Sequence, residues 1–436
     1  MIAYGLSGAM ARLEREGPIF LGLVGIGQMG RALLTQTLHL PGFRPRVLVD
    51  HRPERAKKIL LEAGFSPLDL VETSSPQQAQ AALEAGKTVL SEDDSLPAQV
   101  GMVDVVVDAT GSPEAGGRIA LQAIQEGKHI VSLNVESDVV AGPLLTRMAR
   151  QAGVVYTGSA GDEPGAVMEL YDFALTMGVT PLVIGKGKNN PLNYSSNPDT
   201  AAEAAARHQM NPRMLASFQD GTKTMVEMTA MANATGFQPD CPGAHGPAGG
   251  VNDLLRLYRT RQEGGILEHY GVVEYVNGVA PGVFLIYTTP HQELRQELAY
   301  LSQGEGPHYL LYRPYHLTSL ETPRTILRAV LYGEGSILPA AGAPYADTVA
   351  VAKRDLKAGE TLDGIGGYTA YGTILTRTEA KACNAFPMGL TSPGVKVLRD
   401  IPQGTILTWD MVQPDEDSVL LKLRRQQDAL EARGSL

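Results

Sequence analysis

Residues 22–30 read Gly22-Leu23-Val24-Gly25-Ile26-Gly27-Gln28-Met29-Gly30. The stretch joins a short apolar run to a predicted helix, and its spaced glycines match the turn of a dinucleotide-binding β-α-β unit. In such a turn Gly25 permits the tight bend, Gly27 lets the backbone approach a pyrophosphate, and Gly30 lets the helix pack closely on the strand. The pattern predicts an α/β fold with a Rossmann-type, doubly wound parallel sheet.

A second apolar run, residues 47–49, ends in Asp50, whose carboxylate can accept hydrogen bonds from the ribose hydroxyls of NAD. His51 and Arg52 follow directly, and an arginine can bind the 2′-phosphate of NADP through two hydrogen bonds. The sequence therefore predicts a nicotinamide cofactor and leaves NAD and NADP both open. A Rossmann-like domain that no longer binds a nucleotide is the alternative.

Strands and helices alternate through the first 160 residues, as they do around a parallel sheet. The predicted strands are residues 19–24, 47–50, 103–109, 130–133 and 154–156. Ligands bind at the carboxyl ends of such strands, so the turns after residues 109 and 133 are expected to face the cofactor. The predicted cofactor contacts are Gly25, Gly27, Gln28, Met29, Gly30, Asp50, His51, Arg52, Thr110, Gly111, Asn134 and Glu136.

The composition favours an enzyme that acts on a small molecule. The chain has 436 residues, of which 43% are hydrophobic, enough for two or three globular domains. Its formal net charge of -10 argues against a nucleic-acid or membrane-surface partner. Cys241 and Cys383 have no metal-ligand spacing, and the first residues do not resemble a signal peptide. We therefore expect a cytoplasmic protein without a membrane span, and we also expect a homo-oligomer.

Three domains are predicted. Residues 1–160 would form the Rossmann domain, and residues 161–318 an α+β substrate domain. Residues 345–420 would form a small all-β domain. The predicted elements outside the Rossmann strands are helices over 1–17, 166–175, near 199–236 and near 319–335, and a strand-like stretch over 271–287. The helix near 319–335 is expected to complete the first domain.

Two segments of the C-terminal region repeat one pattern. Residues 349–362 and 395–407 each consist of an apolar strand, Arg-Asp, a three-residue spacer, a glycine and a second apolar strand. The repeat resembles the SAF, or antifreeze-like β-clip, domain that is appended to several sugar-acid enzymes. Two ordinary hairpins are the alternative.

Residues 220–236 are predicted to form a helix that ends at Gly236. Lys223 and Glu227 are its only charged residues once it has begun, and at positions i and i+4 they share one face. Their order opposes helix stability, because the lysine lies near the positive end of the helix dipole. We therefore predict that both are catalytic, with a partly buried structural ion pair as the alternative.

Asp162 and Glu163 follow the Rossmann half and precede a predicted helix. As further catalytic residues they could orient substrate hydroxyls, or with Glu227 they could bind a divalent metal through oxygen ligands. A helix cap formed by Asp162 is the alternative.

Lys186 and Lys188 alternate with glycines after the apolar residues 181–184, in what reads as a glycine loop. Such lysines could hold a phosphate or carboxylate, and solvated loop lysines are the alternative. The predicted substrate contacts are Lys186, Lys188, Asn189 and Asp220. By contrast, His245, Arg313 and His316 are each interpreted as structural.

The chain resembles the homoserine-dehydrogenase-like oxidoreductases with a C-terminal SAF domain. Besides the SAF repeat, the resemblance is carried by VGIGQMG (24–30), VDHRPERA (49–56), NVESD (134–138), GSAGDEPGA (158–166), GKGKNNP (185–191), FQDGTKTMVE (218–227) and GEGPHYLLYRPYHL (304–317). Within that group it is similar to the deoxyxylulose-phosphate reductoisomerase-like (DRL) enzymes. That similarity implies conversion of deoxyxylulose phosphate to methylerythritol phosphate with NADPH, in isoprenoid synthesis. The homoserine dehydrogenase resemblance implies that a lysine and acidic residues act in the second domain, and Lys223 with Glu227 or Asp220 could do so.

We therefore expect an NAD(P)-dependent oxidoreductase that acts on a small polar keto or hydroxy compound, phosphorylated or acidic. Lys223 would transfer the proton while the nicotinamide exchanges the hydride. A homoserine or sugar-acid dehydrogenase is one alternative. A non-catalytic protein that senses NADP is the alternative of another class.

Overall fold

The computed structural model describes residues 5–207 and 210–436. Two compact units emerge from the contacts within the chain. The first comprises Met1–Gly165, Leu317–Leu338 and Arg433–Leu436, and the second comprises Ala166–His316 and Pro339–Ala432. The first four residues of the helix predicted over 1–17, and residues 208–209 of the helical stretch predicted near 199–236, lie outside the described residues.

A parallel sheet of seven strands forms the centre of the first unit, in the order β3-β4-β2-β1-β5-β6-β7. The strands are β1 (Ile19–Val24), β2 (Phe43–Val49), β3 (Leu70–Glu72), β4 (Thr88–Ser91), β5 (Val105–Asp108), β6 (His129–Ser132) and β7 (Tyr156–Gly158). The predicted Rossmann-type fold is confirmed. The direction of the strand order reverses between β1 and β5, which are neighbours in the sheet. The carboxyl ends of these two strands therefore border the crevice in which such sheets bind their ligands.

The helices of this unit flank the sheet along the chain. They are α1 (Gly5–Glu16), α2 (Gln28–His39), α3 (Glu54–Glu62), α4 (Pro76–Glu84), α5 (Leu96–Gln99), α6 (Pro113–Gln125) and α7 (Val135–Ala152). Leu21, Leu23 and Val107 of the sheet share one buried core with Leu33 of α2. Among the described helices, none is both long and apolar enough to cross a membrane.

The second unit contains a mixed sheet of five strands, in the order β12-β11-β8-β10-β9. Its strands are β8 (Thr180–Lys188), β9 (Gln238–Pro239), β10 (Val272–Asn277), β11 (Val283–Thr288) and β12 (His308–Arg313). The helices in this part of the chain are α8 (Glu163–Thr176), α9 (Pro198–Arg207), α10 (Pro212–Gln219), α11 (Thr222–Thr235), α12 (Leu254–Leu257) and α13 (Gln292–Tyr300). α11 packs on the sheet, since Met225, Met228 and Met231 share a buried core with Ile184 and Val273.

Two predicted elements prove to be composite. The helical stretch predicted near 199–236 is three helices, α9, α10 and α11, and prolines begin the first two of them. The strand-like stretch predicted over 271–287 is two strands, β10 and β11, separated by a turn that contains Gly278 and Pro281. The predicted end of α11 is confirmed, because Gly236 caps it in the left-handed conformation at φ +81°.

Helix α14 (Thr322–Tyr332) belongs to the first unit. Its Ile326 and Leu327 lie in the same core as Leu21 and Leu23 of β1. That a helix near 319–335 completes the Rossmann domain stays a prediction. Short 3₁₀ helices span Pro67–Asp69, Val251–Asp253, Arg261–Glu263, Thr318–Glu321, Met388–Leu390 and Trp409–Met411.

The C-terminal region adds β13 (Ala346–Ala352), β14 (Ala370–Thr376), α15 (Arg377–Ala382), β15 (Lys396–Val397), β16 (Val412–Gln413) and α16 (Val419–Ala432). The two segments that repeat one pattern pair with each other in antiparallel fashion. Leu356 N donates to Ile401 O at 2.8 Å, and Ile401 N donates to Leu356 O at 2.9 Å. Leu356 and Ile401 each directly follow the Arg-Asp of their segment. The two residues that pair therefore occupy the same position in the repeated pattern.

Neighbouring hydrogen bonds repeat across this pair. The carboxylate of Asp355 accepts a hydrogen bond from Gln403 N at 2.8 Å, and that of Asp400 accepts one from Ala358 N at 3.0 Å. The two segments are therefore related by a local two-fold axis near Leu356. This symmetry agrees with the SAF-like interpretation of residues 345–420, which stays a prediction. The contacts of the chain place the whole region in the second unit.

Candidate active site

The glycine turn after β1 is closely packed at two positions and open at the third. Gly25 has φ +94°, and a Cβ there would lie 2.7 Å from the carbonyl oxygen of Ala109. A Cβ on Gly30 would collide with the carbonyl of Gly25. By contrast, a Cβ on Gly27 would meet no atom of the described residues within 4 Å. Packing thus explains Gly25 and Gly30, whereas Gly27 keeps clear the space that a pyrophosphate would need at the start of α2.

Asp50 holds this turn against the end of β2. Its carboxylate accepts hydrogen bonds from Ile26 N at 2.7 Å and from Arg52 N at 2.9 Å, and Arg55 lies 3.5 Å away. The side chains of His51 and Arg52 are exposed beside it. Sequence reasoning predicted Asp50 and Arg52 but missed Arg55, although an arginine one helical turn further on belongs to the same basic segment.

The ends of β5 and β6 carry a second group of predicted cofactor contacts. Thr110 donates to Asp108 through its hydroxyl at 2.6 Å and its backbone N at 2.8 Å. Asn134 donates to Ser112 O at 2.7 Å. Burial raises the pKa of Asp108 to about 6. These bonds fix the turns at the carboxyl edge of the sheet.

The other predicted cofactor contacts lie in the same turns or next to them. Gly111 is exposed, and Glu136 is half-buried in the first turn of α7. In the first turn of α2, Gln28 is exposed and Met29 is half-buried. The predicted contacts therefore all lie at the carboxyl ends of β1, β2, β5 and β6.

Glu227 of α11 lies between two lysines of the second unit. Lys223 Nζ is 3.9 Å from Glu227 Oε1, one helical turn away as the sequence predicted. Lys186 Nζ contacts the other carboxylate oxygen, Oε2. The exposed fraction of the side chain is 16% for Lys223, 7% for Lys186 and 2% for Glu227. The predicted pair is thus part of a cluster of three charges, Lys186, Glu227 and Lys223, of which Lys223 is the most accessible.

The position of Lys186 and Lys188 corrects one expectation. They do not lie in a glycine loop, because β8 continues to Lys188 as the central strand of the mixed sheet. Side chains alternate between the two faces of a strand, so both lysines point to the face where Lys186 meets Glu227. A Cβ on Gly185 would lie 2.5 Å from the ring of Phe284. The alternating glycines therefore let the opposite face pack closely, and the period of two was the signal for a strand.

Lys188 is buried, and its ammonium donates to the backbone oxygen of Phe218 at 2.6 Å. Burial, together with the nearby charge of Lys186, lowers the pKa of Lys188 to about 8. Lys188 and the predicted substrate contact Asn189 both line a cavity of about 780 Å³ within the second unit.

Asp220 has a different environment from the one predicted. It is fully buried, and its carboxylate forms an ion pair at 2.7 Å with the ammonium of Lys353, which comes from the C-terminal region. Lys353 also donates to Ser196 O at 2.6 Å and Gly367 O at 2.7 Å. These contacts favour a structural role for Asp220, and its contact with substrate stays a prediction.

Asp162 and Glu163 belong to the first unit, whereas Glu227 belongs to the second. Both are half-buried where α8 begins, and Glu163 is the first residue of that helix. Their catalytic role and the metal site that they could form with Glu227 stay predictions.

Comparison with known proteins gives two family matches. Residues 161–322 match the model of the oxidoreductase DRL catalytic domain, and residues 25–157 match that of the homoserine dehydrogenase NAD-binding domain. No curated protein sequence matches the chain. Among solved structures, a probable dehydrogenase from Thermotoga maritima is similar at 13% identity and a TM-score of 0.41, over 73% of this chain and 90% of that one. The scyllo-inositol dehydrogenase from Lactobacillus casei, solved with NAD(H) and scyllo-inositol, is similar at 16% identity and a TM-score of 0.37, over 68% and 76%.

Proposed function

Since the chain is an NAD(P)-dependent oxidoreductase with a DRL-like catalytic domain and a homoserine-dehydrogenase-like NAD-binding domain, we propose that it reduces a small anionic keto compound with NADPH. The reverse reaction would oxidise the matching hydroxy compound. The family matches favour this enzymatic role over the alternative of a non-catalytic NADP sensor.

The observation that carries the proposal is the group of lysines beside α11. Lys186 and Lys223 both contact the carboxylate of Glu227, and Lys188 follows on the same face of β8. Lysine ammonium groups bind phosphates and carboxylates through charge-assisted hydrogen bonds. A substrate that carries one of these groups therefore suits this part of the second unit.

The same cluster has the groups that a carbonyl reduction needs. When bound, the nicotinamide supplies the hydride. As the carbonyl carbon accepts it, negative charge develops on the carbonyl oxygen, and the Lys223 ammonium donates a proton there. The product hydroxyl and a neutral lysine result, and solvent returns the proton. Glu227, held by Lys186, orients Lys223 and keeps it protonated between turnovers.

Two features support NADPH over NADH. Arg52 is exposed two residues after Asp50. Arg55, at the start of α3, lies 3.5 Å from the Asp50 carboxylate. Each carboxylate oxygen of Asp50 already accepts a backbone hydrogen bond, one from Ile26 N and the other from Arg52 N. That leaves the arginines as the groups best suited to bind the 2′-phosphate.

The first substrate to test is 1-deoxy-D-xylulose 5-phosphate, which the DRL-like domain suggests and whose phosphate suits Lys186 and Lys188. Rearrangement of its carbon skeleton followed by reduction, to give methylerythritol phosphate, would place the protein in isoprenoid synthesis. Homoserine and sugar acids are the next candidates, because each presents a carboxylate and a hydroxyl.

The test is a spectrophotometric assay of NADPH oxidation with purified protein. The panel would contain 1-deoxy-D-xylulose 5-phosphate, its dephosphorylated form and aspartate semialdehyde, with NADP reduction measured for homoserine and sugar acids. We expect turnover with an anionic member and at least a hundredfold lower kcat/KM for the dephosphorylated sugar, since about 3 kcal/mol of charge-assisted binding is lost. Equal turnover of the charged and uncharged forms would contradict the proposal.

A further inference from the structure

The cavity of about 780 Å³ in the second unit lies in the size range of small-molecule sites. Its walls come from the end of β8, the loop over residues 242–246, β10 and the C-terminal region. Three tyrosines, Tyr194, Tyr275 and Tyr371, line it, and the rings of Tyr194 and Tyr371 lie 4.6 Å apart. Asn189, Asn277 and Thr373 add side chains that can form hydrogen bonds.

One wall is organised around the buried carboxylate of Glu274. Its Oε1 lies 2.7 Å from His245 Nδ1, and it also accepts hydrogen bonds from the backbone N of His245 and Gly246. Glu274 is fully buried, whereas the side chain of His245 is 19% exposed at the cavity. Burying a carboxylate costs free energy, so this glutamate serves to hold one histidine in a fixed orientation.

The loop that carries His245 is conformationally strained. Ala244 has φ +58°, an unfavourable value for a residue with a side chain, and Gly243 and Gly246 also have positive φ angles of +78° and +54°. Such strain concentrates at sites of function, where surrounding structure maintains it. Here the hydrogen bonds to Glu274 maintain it, and the result is that the imidazole lies in the cavity wall.

The charges of the cavity indicate what it can hold. His245 Nε2 lies 3.5 Å from Asp240, so together with Glu274 two carboxylates offset any charge on the imidazole. The ammonium of Lys188 is engaged by Phe218 O. The rest of the wall consists of the three tyrosines, Asn189, Asn277, Thr373 and glycines or apolar residues. This chemistry suits a ligand with hydroxyl groups and apolar C–H faces and without a charge.

We propose that this cavity is a second ligand site, which binds a neutral sugar-sized polyol against the tyrosine rings while His245, held by Glu274, hydrogen-bonds to a hydroxyl. The site is distinct from the cluster of Lys186, Glu227 and Lys223, none of which lines the cavity. It does not rest on the oxidoreductase proposal, because binding can be measured without turnover.

The test is saturation-transfer NMR on the full-length protein with D-xylose and D-ribose as probes. A ligand of this size with a few hydrogen bonds should bind with a Kd of about 1 mM. The exposed ring of Tyr194 makes Tyr194→Ala a variant that should fold, and we expect it to weaken binding about tenfold. Tyr300→Ala is the matched control, since Tyr300 is an exposed tyrosine of α13 outside the cavity.

Two further measurements fix the location of the bound sugar. His245→Asn should weaken binding about tenfold through loss of the hydrogen bond, whereas Lys223→Met should leave it unchanged. The proposal is overturned if neither sugar gives saturation transfer. It is also overturned if Tyr194→Ala and Tyr300→Ala bind alike, or if Lys223→Met abolishes binding, because the sugar would then occupy the charged cluster.

Discussion

Lys223→Met should separate catalysis from stability in the cluster of Lys186, Glu227 and Lys223. Methionine keeps the length and apolar bulk of the lysine and removes only its charge. Glu227 retains its contact with Lys186 in this variant, so no carboxylate is left buried without a cation. We therefore expect a folded protein that binds NADPH normally but has lost its proton donor.

The structure predicts a large loss of kcat for Lys223→Met but only a small loss of unfolding free energy. The loss of a general acid lowers kcat by about 10² to 10⁴. The stability cost should be about 1 kcal/mol or less, because Lys223 Nζ lies 3.9 Å from Glu227 and the lysine is partly exposed. Lys186→Met is the matched control. It removes the closer, buried partner of Glu227 and should cost about 3 to 5 kcal/mol of unfolding free energy.

The assay measures urea unfolding, NADPH binding and turnover on the same preparations of wild type and both variants. Lys223→Met should unfold near the wild-type midpoint and turn over at least a hundredfold more slowly. Lys186→Met should unfold at clearly lower urea. If folded Lys223→Met keeps near-normal kcat, Lys223 is not the proton donor, and Lys186 or Lys188 becomes the candidate.

Three further predictions follow from single side chains. Arg52→Ala should weaken NADPH binding by about 1 to 3 kcal/mol and leave NADH binding nearly unchanged in fluorescence titrations; equal effects would refute a 2′-phosphate contact. Because the pKa of Lys188 is lowered to about 8, KM for an anionic substrate should rise as pH increases above 8, and Lys188→Met should abolish that break in the pH profile. Lys353→Met should cost about 3 to 5 kcal/mol in urea unfolding, because it leaves Asp220 buried without its counter-ion, while NADPH affinity should persist; an unchanged midpoint would contradict the structural role of this pair.

The Rossmann domain was largely predictable because its signals are local. The turn at Gly25–Gly30 and the carboxylate of Asp50 each follow from residues close together in the chain. β3 and β4, of three and four residues, were not predicted. Residues 185–188 of β8 were predicted as a loop because glycines favour turns. The alternation of glycine and lysine, which has the period of two of a strand, was also present but was given less weight.

The second unit was harder to predict because its decisive contacts join distant residues. The i, i+4 spacing correctly placed Lys223 beside Glu227. No local pattern indicates that Lys186, 41 residues earlier, would contact the same carboxylate, or that Glu274 would hold His245 from 29 residues away. The C-terminal repeat was visible in the sequence, but not the pairing of Leu356 with Ile401, because register is set by the folded strands.

The charged residues at the start of α11 include a structural ion pair and the proposed proton donor, Lys223. At its start, Asp220 is neutralised by Lys353, and Thr222 and Thr229 hydrogen-bond to Gly372 and Thr348 at 2.8 Å each. These contacts bind the helix to the C-terminal region and leave little freedom to its first two turns. Lys223 therefore projects from a rigid helix whose own structural charges are already satisfied. If Lys223 is the proton donor that we propose, this rigidity would lower the entropy lost on reaching the transition state, and the C-terminal region would contribute to turnover without contacting the substrate.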